Sequence, residues 1–222
     1  MTEIELKLTL DESGYRTFID HMKTSLHDTL DQWNIYFETA PTKLNLYDAN
    51  LRLRRIISNL NGTKYFLTSK VGGRIRNGVS VIPEYEVEIS EALAKKLIKV
   101  PKDFFSLLPK EIQNPLQEAK DLTFSIDGDM RTIRRVILFN ELTIEADETF
   151  LPNSSTFYEL EIETQDPENA RSIILEELQT IGVTSSPSRY SKRGRLMSLP
   201  PESRFSREKY SFDEAKHCNV FE

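Results

Sequence analysis

The sequence has little of what disulfide-bonded, zinc-binding and membrane-spanning proteins need. One cysteine, Cys218, stands among 222 residues, which excludes an internal disulfide and favours a reducing compartment. The three histidines, His21, His27 and His217, lack metal-ligand spacing. No apolar run approaches the roughly 20 residues that span a bilayer, and no secretory signal precedes the first predicted strand. We therefore expect a cytoplasmic protein without a membrane partner.

The sequence also lacks the motifs of common phosphate-binding and acyl-transfer enzymes. It contains no P-loop pattern and no serine nucleophile elbow. We interpret Gly72-Gly73 as a hinge in a long loop rather than as a phosphate cradle. The net charge of −6 makes a general nucleic-acid binder improbable, so we expect no DNA partner.

Alternating apolar and charged residues predict a chain rich in strands, with helices at the joints. The predicted strands are 2–10, 28–39, 50–58, 63–71, 79–90, 121–126, 130–139, 142–150 and 155–164. Asn140-Glu141 predicts a tight hairpin. Three predicted helices begin after the capping residues Asp11, Ser90 and Asp166. Two more cover residues 102–119 and 187–197. This pattern indicates an antiparallel α+β domain over 1–197, followed by a loosely ordered tail, 198–222.

The charged residues lie on one face of each predicted strand, because side chains alternate between the two faces. Glu3, Glu5 and Lys7 share a face, and Glu84, Glu86 and Glu88 do so on a later strand; the other sets are Arg52 with Arg54, Thr68 with Lys70, Thr132 with Arg134, Glu145 with Asp147, and Glu159 with Glu161 and Glu163. For any one strand, a solvated sheet face explains the pattern.

A solvated face does not explain the whole set well, because entire strands carry one sign of charge. Two carboxylates about 5 Å apart repel by roughly 3 kcal/mol at an effective dielectric constant near 20. Such a cost on several strands indicates a compensating ligand. If the sheet closes into a barrel, the charged face lines its lumen and the apolar face lies under the helices.

A lumen of this composition suits a metal-bound polyphosphate. Basic side chains can hold phosphate oxygens, and the candidates are Arg52, Arg54, Lys70, Arg134 and Lys192. Carboxylates can hold divalent cations that in turn bind phosphate. Hard oxygen ligands without histidine or cysteine favour Mg²⁺ or Mn²⁺ over zinc.

These blocks resemble, in order, those of the CYTH family, also called the triphosphate tunnel metalloenzymes. Glu3-Ile4-Glu5-Leu6-Lys7 has the family's E-x-E-x-K form, and Leu51–Arg54 resembles its basic strand. The later matching blocks are Ser69-Lys70, Glu84–Glu88, Arg134, Ile144–Thr149, Tyr158–Glu163 and Ser191-Lys192. The layout is most similar to the plant-type branch, whose members resemble inorganic triphosphatases.

The resemblance implies an eight-stranded antiparallel closed barrel with helices packed outside, and a triphosphate ligand. It further implies that Lys7, Arg52, Arg54, Lys70, Arg134 and Lys192 bind the triphosphate, and that Glu3, Glu5, Glu88, Asp147, Glu159 and Glu161 bind metal. Two cations, Mg²⁺ or Mn²⁺, are expected. Lys7 and Lys192 are the candidate catalytic residues, since either could donate charge or a proton to the leaving group.

Family membership does not fix the reaction. We expect metal-dependent hydrolysis of inorganic tripolyphosphate by a monomer or homodimer. The alternatives are a thiamine triphosphatase or nucleoside triphosphatase, a class IV-type adenylate cyclase, and a non-catalytic polyphosphate-binding module.

Overall fold

The computed structural model describes residues 2–41, 43–44 and 49–206. The strands are β1 (Thr2–Leu10), β2 (Leu26–Ala40), β3 (Ala49–Ser58), β4 (Gly62–Val71), β5 (Arg74–Arg76), β6 (Val79–Ile89), β7 (Thr123–Phe139), β8 (Leu142–Phe150), β9 (Thr156–Glu163) and β10 (Ser186–Pro187). The α-helices are α1 (Glu12–His21), α2 (Glu91–Leu97), α3 (Phe104–Leu107), α4 (Lys110–Gln113), α5 (Pro167–Thr180) and α6 (Lys192–Met197). Among the described residues, short 3₁₀ helices cover Met22–Ser25, Asn114–Ala119 and Pro201–Ser203.

Eight of the strands form a closed antiparallel barrel, which confirms the predicted fold class. Their order around the barrel is β1-β9-β8-β7-β2-β3-β4-β6, and β6 closes the ring by pairing with β1. The short strands β5 and β10 extend the sheet beside β6 and β1. Closure pairs every barrel strand on both sides, so the barrel has no open edge.

The local sequence signals act as predicted at several element ends. The Asp11 carboxylate accepts a hydrogen bond from the Gly14 N–H at 2.7 Å and caps α1. Ser90 and Asp166 cap α2 and α5 in the same way. Asn140 and Glu141 have φ values of 46° and 64°, the left-handed conformation of the tight hairpin that joins β7 to β8.

The apolar residues lie outside the barrel, under the helices. One cluster covers the outer face of β2, β3 and β4 beneath α2, α3 and α4, and its most buried members include Phe37, Leu51, Leu53, Leu67 and Leu97. A second covers β1, β8 and β9 beneath α1 and α5, and includes Leu6, Leu8, Phe18, Leu160 and Ile174. The alternation of the sequence therefore places its polar residues inside, as the barrel interpretation requires.

Three predicted elements differ from the structure. The separate strands 121–126 and 130–139 are one long strand, β7, because β2 pairs with both halves. The predicted helix 102–119 divides into α3, α4 and a 3₁₀ turn at Pro109 and Pro115, since proline lacks the N–H of a helix interior. The predicted helix 187–197 begins only at Lys192, because residues 186–187 pair with β1 as β10.

The structure describes the first part of the predicted tail, residues 198–206. Residues 198–206 pack on β7, where the Asp129 N–H donates to the Arg204 carbonyl oxygen at 2.9 Å. The rest of the predicted tail, with Cys218, lies outside the described residues. Among the described helices, none has the length and apolarity that a bilayer crossing requires.

Candidate active site

The charged side chains line a cavity in the barrel lumen. The lining residues from β1, β3, β4, β6, β7, β8 and β9 include Glu3, Glu5, Lys7, Arg52, Arg54, Lys70, Glu84, Arg134, Glu145 and Glu161. At one end, α6 contributes Lys192 and Arg193 to the lining. Leu196 of the same helix packs on Tyr36 and Met130, so α6 fills this end of the barrel with an apolar contact.

Three cations surround Glu161 in the inner part of the cavity. Lys7 Nζ lies 2.6 Å from Glu161 Oε1, and Arg134 Nη2 donates to Glu161 Oε2 at 2.7 Å. Lys192 Nζ also contacts Glu161. Although burial alone would raise the pKa of Glu161, the charges of Lys192, Lys7 and Arg134 hold it well below its usual range.

Asp147 is the second buried anion of this inner group. Arg134 binds it with two parallel hydrogen bonds, Nε to Oδ1 at 2.8 Å and Nη2 to Oδ2 at 2.7 Å. Lys192 Nζ lies 2.8 Å from Asp147 Oδ2, and the Asp147 side chain is 0% exposed. The forked pairing fixes the plane of the Arg134 guanidinium, whose Nη1 also contacts Glu145.

A second ion-pair group lies on β1, β3, β4 and β6. Lys70 Nζ lies 2.6 Å from Glu3 Oε2 and 2.7 Å from Glu84 Oε2. Arg52 Nη2 lies 3.7 Å from Glu84 Oε1 and donates to Thr68 Oγ1 at 3.2 Å. Cations and carboxylates thus alternate around the cavity wall. A bound polyanion could replace a carboxylate as the partner of Lys70 or Arg52.

Arg54 differs from the other lumen cations. Its Nε–H donates to the Asn34 amide oxygen at 3.0 Å, and among the described residues no carboxylate lies within ion-pair distance of it. Burial, and then the charges of Arg52 and Arg134, lower the pKa of Arg54 to about 10. Its guanidinium is therefore the cavity group best placed to gain from a bound anion.

Glu5, Glu145 and Glu161 form the group best suited to a divalent cation. One carboxylate oxygen from each lies within 4.8 Å of the other two. Burial, and then repulsion from Glu161, raise the pKa of Glu5, and Lys7 Nζ lies 2.6 Å from both carboxylates. The Lys7 ammonium thus contacts carboxylate oxygens of the kind that bind Mg²⁺ or Mn²⁺. Three carboxylates are a suitable ligand set for either ion.

Glu159 lies on the same strand as Glu161 and contacts α6. Its Oε1 accepts hydrogen bonds from Ser188 Oγ at 2.6 Å and from Arg195 Nη2 at 3.2 Å. Its Oε2 is buried without a hydrogen-bond donor, although Lys192 Nζ lies 4.0 Å away. A buried carboxylate oxygen without a donor is costly, and a cation near Lys192 would remove that cost.

The structure brings all but one of the predicted site residues together. The exception is Glu88, whose side chain is 54% exposed and whose Oε2 lies 3.2 Å from Lys64 Nζ at the end of β6. The structure thus places Glu88 apart from the other candidate metal ligands. The ligand roles of the others stay predictions.

Sequence reasoning did not select three lumen residues that the structure places at the site. Glu145 belongs to the metal-suited group, Glu84 pairs with Lys70, and Arg193 lines the α6 end. The alternation could have identified Glu145 and Glu84, because Glu145 shares a strand face with the candidate ligand Asp147 and Glu84 shares one with Glu88. Arg193 had none, because its contacts depend on where α6 packs.

Comparison with known proteins places this site in a family. The CYTH domain model matches residues 1–188. A Hippeastrum protein, assigned as an adenylyl cyclase and described as having a dominant triphosphatase activity, is 29% identical, with a TM-score of 0.78 over 90% of this chain and 99% of that one.

Two more distant structures share the fold alone. A Bacillus halodurans protein assigned as an adenylate cyclase is 22% identical, with a TM-score of 0.66 over 87% of this chain and 97% of that one. A chain of the Schizosaccharomyces pombe Mediator head module is 11% identical, with a TM-score of 0.53 over 84% of this chain and 98% of that one. The matching family model, together with the charged lumen, shows that this chain belongs to the CYTH family.

Proposed function

We propose that this protein is a metal-dependent triphosphatase whose substrate is inorganic tripolyphosphate. The observation that carries the proposal is the placement of Arg54, a cation without a carboxylate partner among the described residues, in the same cavity as the Glu5–Glu145–Glu161 group. A cavity that binds only anions has no need of three clustered carboxylates, whereas a metal-bound triphosphate uses both kinds of group.

The basic residues hold and orient the substrate in this proposal. Arg52, Arg54, Lys70 and Arg134 line the cavity and would bind the phosphate oxygens, with the arginines doing so through paired N–H groups. Glu5, Glu145 and Glu161 would hold an ion. When bound, Mg²⁺ or Mn²⁺ supplies charge neutralisation and an acidified water.

The two lysines act on the leaving group in this proposal. Hydrolysis breaks one phosphoanhydride bond as a water oxygen bonds to the terminal phosphorus, and the water proton passes to a nearby base. Lys7 and Lys192 both contact Glu161, so their ammonium groups lie near the centre of the cavity. From there they would stabilise the negative charge that develops on the departing pyrophosphate.

The alternative substrates and reactions share this lumen. The Hippeastrum protein, by its description, combines assignment as a cyclase with a dominant triphosphatase activity, which favours hydrolysis over cyclisation here. Thiamine triphosphate and nucleoside triphosphates remain alternative substrates, because the lumen groups recognise the triphosphate part. The carboxylate cluster disfavours a purely binding role. The similar chain of the Mediator head module nevertheless carries this fold in an assembly whose description names no enzymatic activity.

The test is a substrate panel on the purified protein. Tripolyphosphate, thiamine triphosphate, ATP and pyrophosphate are each supplied with Mg²⁺ or Mn²⁺, and released phosphate and cyclic nucleotide are measured. We expect tripolyphosphate to have the highest kcat/KM, and chelation of the metal to abolish it. Formation of cyclic nucleotide as the main product, or binding without any turnover, would contradict the proposal.

A matched pair of variants ties the activity to the cavity. Glu5→Gln removes one ligand of the metal-suited group and should abolish metal-dependent hydrolysis while leaving the fold intact. Glu118→Gln removes the same charge from an exposed position on the outside and should retain full activity. Normal turnover and metal dependence in Glu5→Gln would remove Glu5 from the ligand set.

A further inference from the structure

Residues 198–206, which follow α6, hold that helix against the barrel through one side chain, Arg204. The Arg204 guanidinium donates to three acceptors: Nε to the Leu199 carbonyl oxygen at 3.0 Å, Nη2 to the Met197 carbonyl oxygen at 2.9 Å, and Nη1 to Asp127 Oδ1 at 3.1 Å. Two of these acceptors lie at the end of α6 or just after it, where helix carbonyls have no partner within the helix. Arg204 therefore joins the end of α6 to β7.

The Asp127 carboxylate is available for this contact because β7 has a bulge there. The pairing with β2 shifts between Gly128, opposite Tyr36, and Ile126, opposite Phe37, so Asp127 has no cross-strand partner on β2. Its other oxygen, Oδ2, lies 3.8 Å from Arg193 Nη2, and Arg193 also donates to Glu38 Oε2 at 3.2 Å. Asp127 thus contacts both Arg204 and a cavity residue of α6.

The backbone of the same segment is fixed just as closely. The Asp129 N–H donates to the Arg204 carbonyl oxygen at 2.9 Å, and the Ser206 N–H donates to Asp129 Oδ1 at 2.8 Å. A Cβ atom at Gly128 would meet that carbonyl oxygen at 2.9 Å and Leu196 Cδ2 at 3.1 Å. Only a glycine at this bulge lets both α6 and the following segment approach β7 so closely.

We infer that Arg204 and Asp127 are positioning residues, which fix α6 so that Lys192 stays in the cavity. The inference rests on the proposed function, because it assigns Lys192 a role toward the triphosphate. Helix α6 has only six residues, so its own hydrogen bonds cannot hold it in place. Leu196 packs on the barrel, and Lys192, Arg193 and Arg195 bind it from the same helix. Arg204 adds the bonds that fix the C-terminal end of α6.

Lys192 must be placed accurately because its ammonium group contacts two buried carboxylates at once. Lys192 Nζ lies 2.8 Å from Asp147 Oδ2 and also contacts Glu161, and its side chain is 12% exposed. A displacement of the helix by about 1 Å can cost on the order of 100-fold in rate when it misplaces a group that contacts the reacting centre. Loss of Arg204 should therefore appear in catalysis although Arg204 does not line the cavity.

The experiment compares wild type, Arg204→Ala and Arg171→Ala in the full-length protein. Arg171 also donates to a backbone carbonyl oxygen, that of Asn77 at 2.6 Å, but on the far helix α5, so it is a matched control. We expect Arg204→Ala to lower kcat/KM for tripolyphosphate about 10- to 100-fold at a temperature where every variant is fully folded by circular dichroism, and Arg171→Ala to stay within about twofold of wild type.

A double-mutant cycle separates positioning from a general structural role. The dissociation constant for tripolyphosphate is measured by calorimetry in chelator, which prevents turnover, for wild type, Arg204→Ala, Lys192→Ala and the double variant. If Arg204 acts through Lys192, Arg204→Ala weakens binding in the wild-type background and has little further effect in Lys192→Ala. Equal effects in both backgrounds would overturn the inference.

The outcomes also distinguish this inference from the proposed function. A wild-type protein that neither binds nor hydrolyses tripolyphosphate would overturn both. An active wild type with an equally active Arg204→Ala would overturn only the positioning role. If Arg204→Ala does not fold, Asp127→Asn replaces it, since that variant keeps the shape of the side chain and should lower kcat/KM in the same direction by a smaller factor.

Discussion

Arg54 donates its Nε–H to the amide oxygen of Asn34, its cross-strand neighbour on β2, and not to a carboxylate. The neighbouring lumen cations Lys7, Arg134 and Lys192 each contact at least one carboxylate. Asn34 therefore holds the guanidinium in place without neutralising it. This arrangement leaves a positive charge in the cavity that repels Arg52 and Arg134 until an anion binds.

Arg54→Ala should weaken triphosphate binding with little loss of stability. A hydrogen bond to a charged group contributes about 1.5–3 kcal/mol, so we expect KM for tripolyphosphate to rise about 10- to 100-fold. The free energy of unfolding should fall by no more than about 1 kcal/mol, because the substitution also removes the repulsion from Arg52 and Arg134. Steady-state kinetics and urea denaturation measure the two quantities.

Arg131→Ala is the matched control for this substitution. Arg131 lies on barrel strand β7 and binds Asp31 with two hydrogen bonds of 2.9 Å, but neither residue lines the cavity. This variant should lose stability and keep its KM. An unchanged KM in Arg54→Ala would show that the Arg54 guanidinium does not contact the substrate. A KM raised equally in Arg131→Ala would attribute the effect of Arg54→Ala to lost stability.

Alternation along the strands was sufficient to predict which residues face the lumen. Glu5, Arg54 and Glu161 were selected from charge patterns two residues apart, and they line one cavity. The inference works because strand geometry allows only two faces, and the apolar residues take the outer one under the helices. The closed barrel followed from the same pattern together with the resemblance.

Alternation could not predict how far along the barrel a residue lies. Glu88 shares the strand face of Glu84, yet its partner in the register is Phe66, at the exposed end of β4 and β6. Glu145 was not selected for the same reason, because its approach to Glu161 depends on the pairing of β8 with β9. The role of Arg204 depends on carbonyl oxygens of α6, which leave no trace in the sequence.

Glu3 and Glu84 share the Lys70 ammonium group and differ in how tightly they hold a proton. Burial, the hydrogen bond to Glu84 and the charges of neighbouring carboxylates raise the pKa of Glu3 from 4.5 to about 7, against the effect of Lys70. Burial acts in the same direction on Glu84, but the hydrogen bond from Glu3, Lys70 and Arg52 lower its pKa to about 2. Glu3 therefore carries the proton of this pair below about pH 7.

Glu3→Gln should flatten the pH dependence of stability in the metal-free protein. Between pH 4.5 and about 7 the folded wild type keeps a proton on Glu3 that the unfolded chain releases, so its free energy of unfolding falls as the pH rises. The fall is up to about 3 kcal/mol. Urea denaturation in chelator from pH 5 to pH 8 measures it; Glu118→Gln, on the exterior, should keep the wild-type slope. A steeper fall in Glu3→Gln would contradict this assignment.

Arg134→Met should destabilise the protein far more in chelator than with excess Mg²⁺. Arg134 forms the forked pair with Asp147 and also binds Glu161, both buried, and a residue without charge leaves these carboxylates with only the lysines. Removing one partner of a buried ion pair costs about 3–5 kcal/mol. A divalent cation held by Glu5, Glu145 and Glu161 would restore part of the lost charge, so the loss should shrink when Mg²⁺ is present.

Arg135, the next residue on β7, is the control that shows whether the Mg²⁺ dependence is specific to the lumen. Arg135 faces outward, where it donates to the Tyr15 hydroxyl at 2.8 Å and lies 3.6 Å from Glu148. Its side chain is 26% exposed, so Arg135→Met should cost about 1 kcal/mol or less through this ion pair, with no dependence on Mg²⁺. Urea denaturation of both variants in the two buffers measures four free energies of unfolding. Equal losses in all four would mean that the carboxylates around Arg134 neither depend on its charge nor bind the cation.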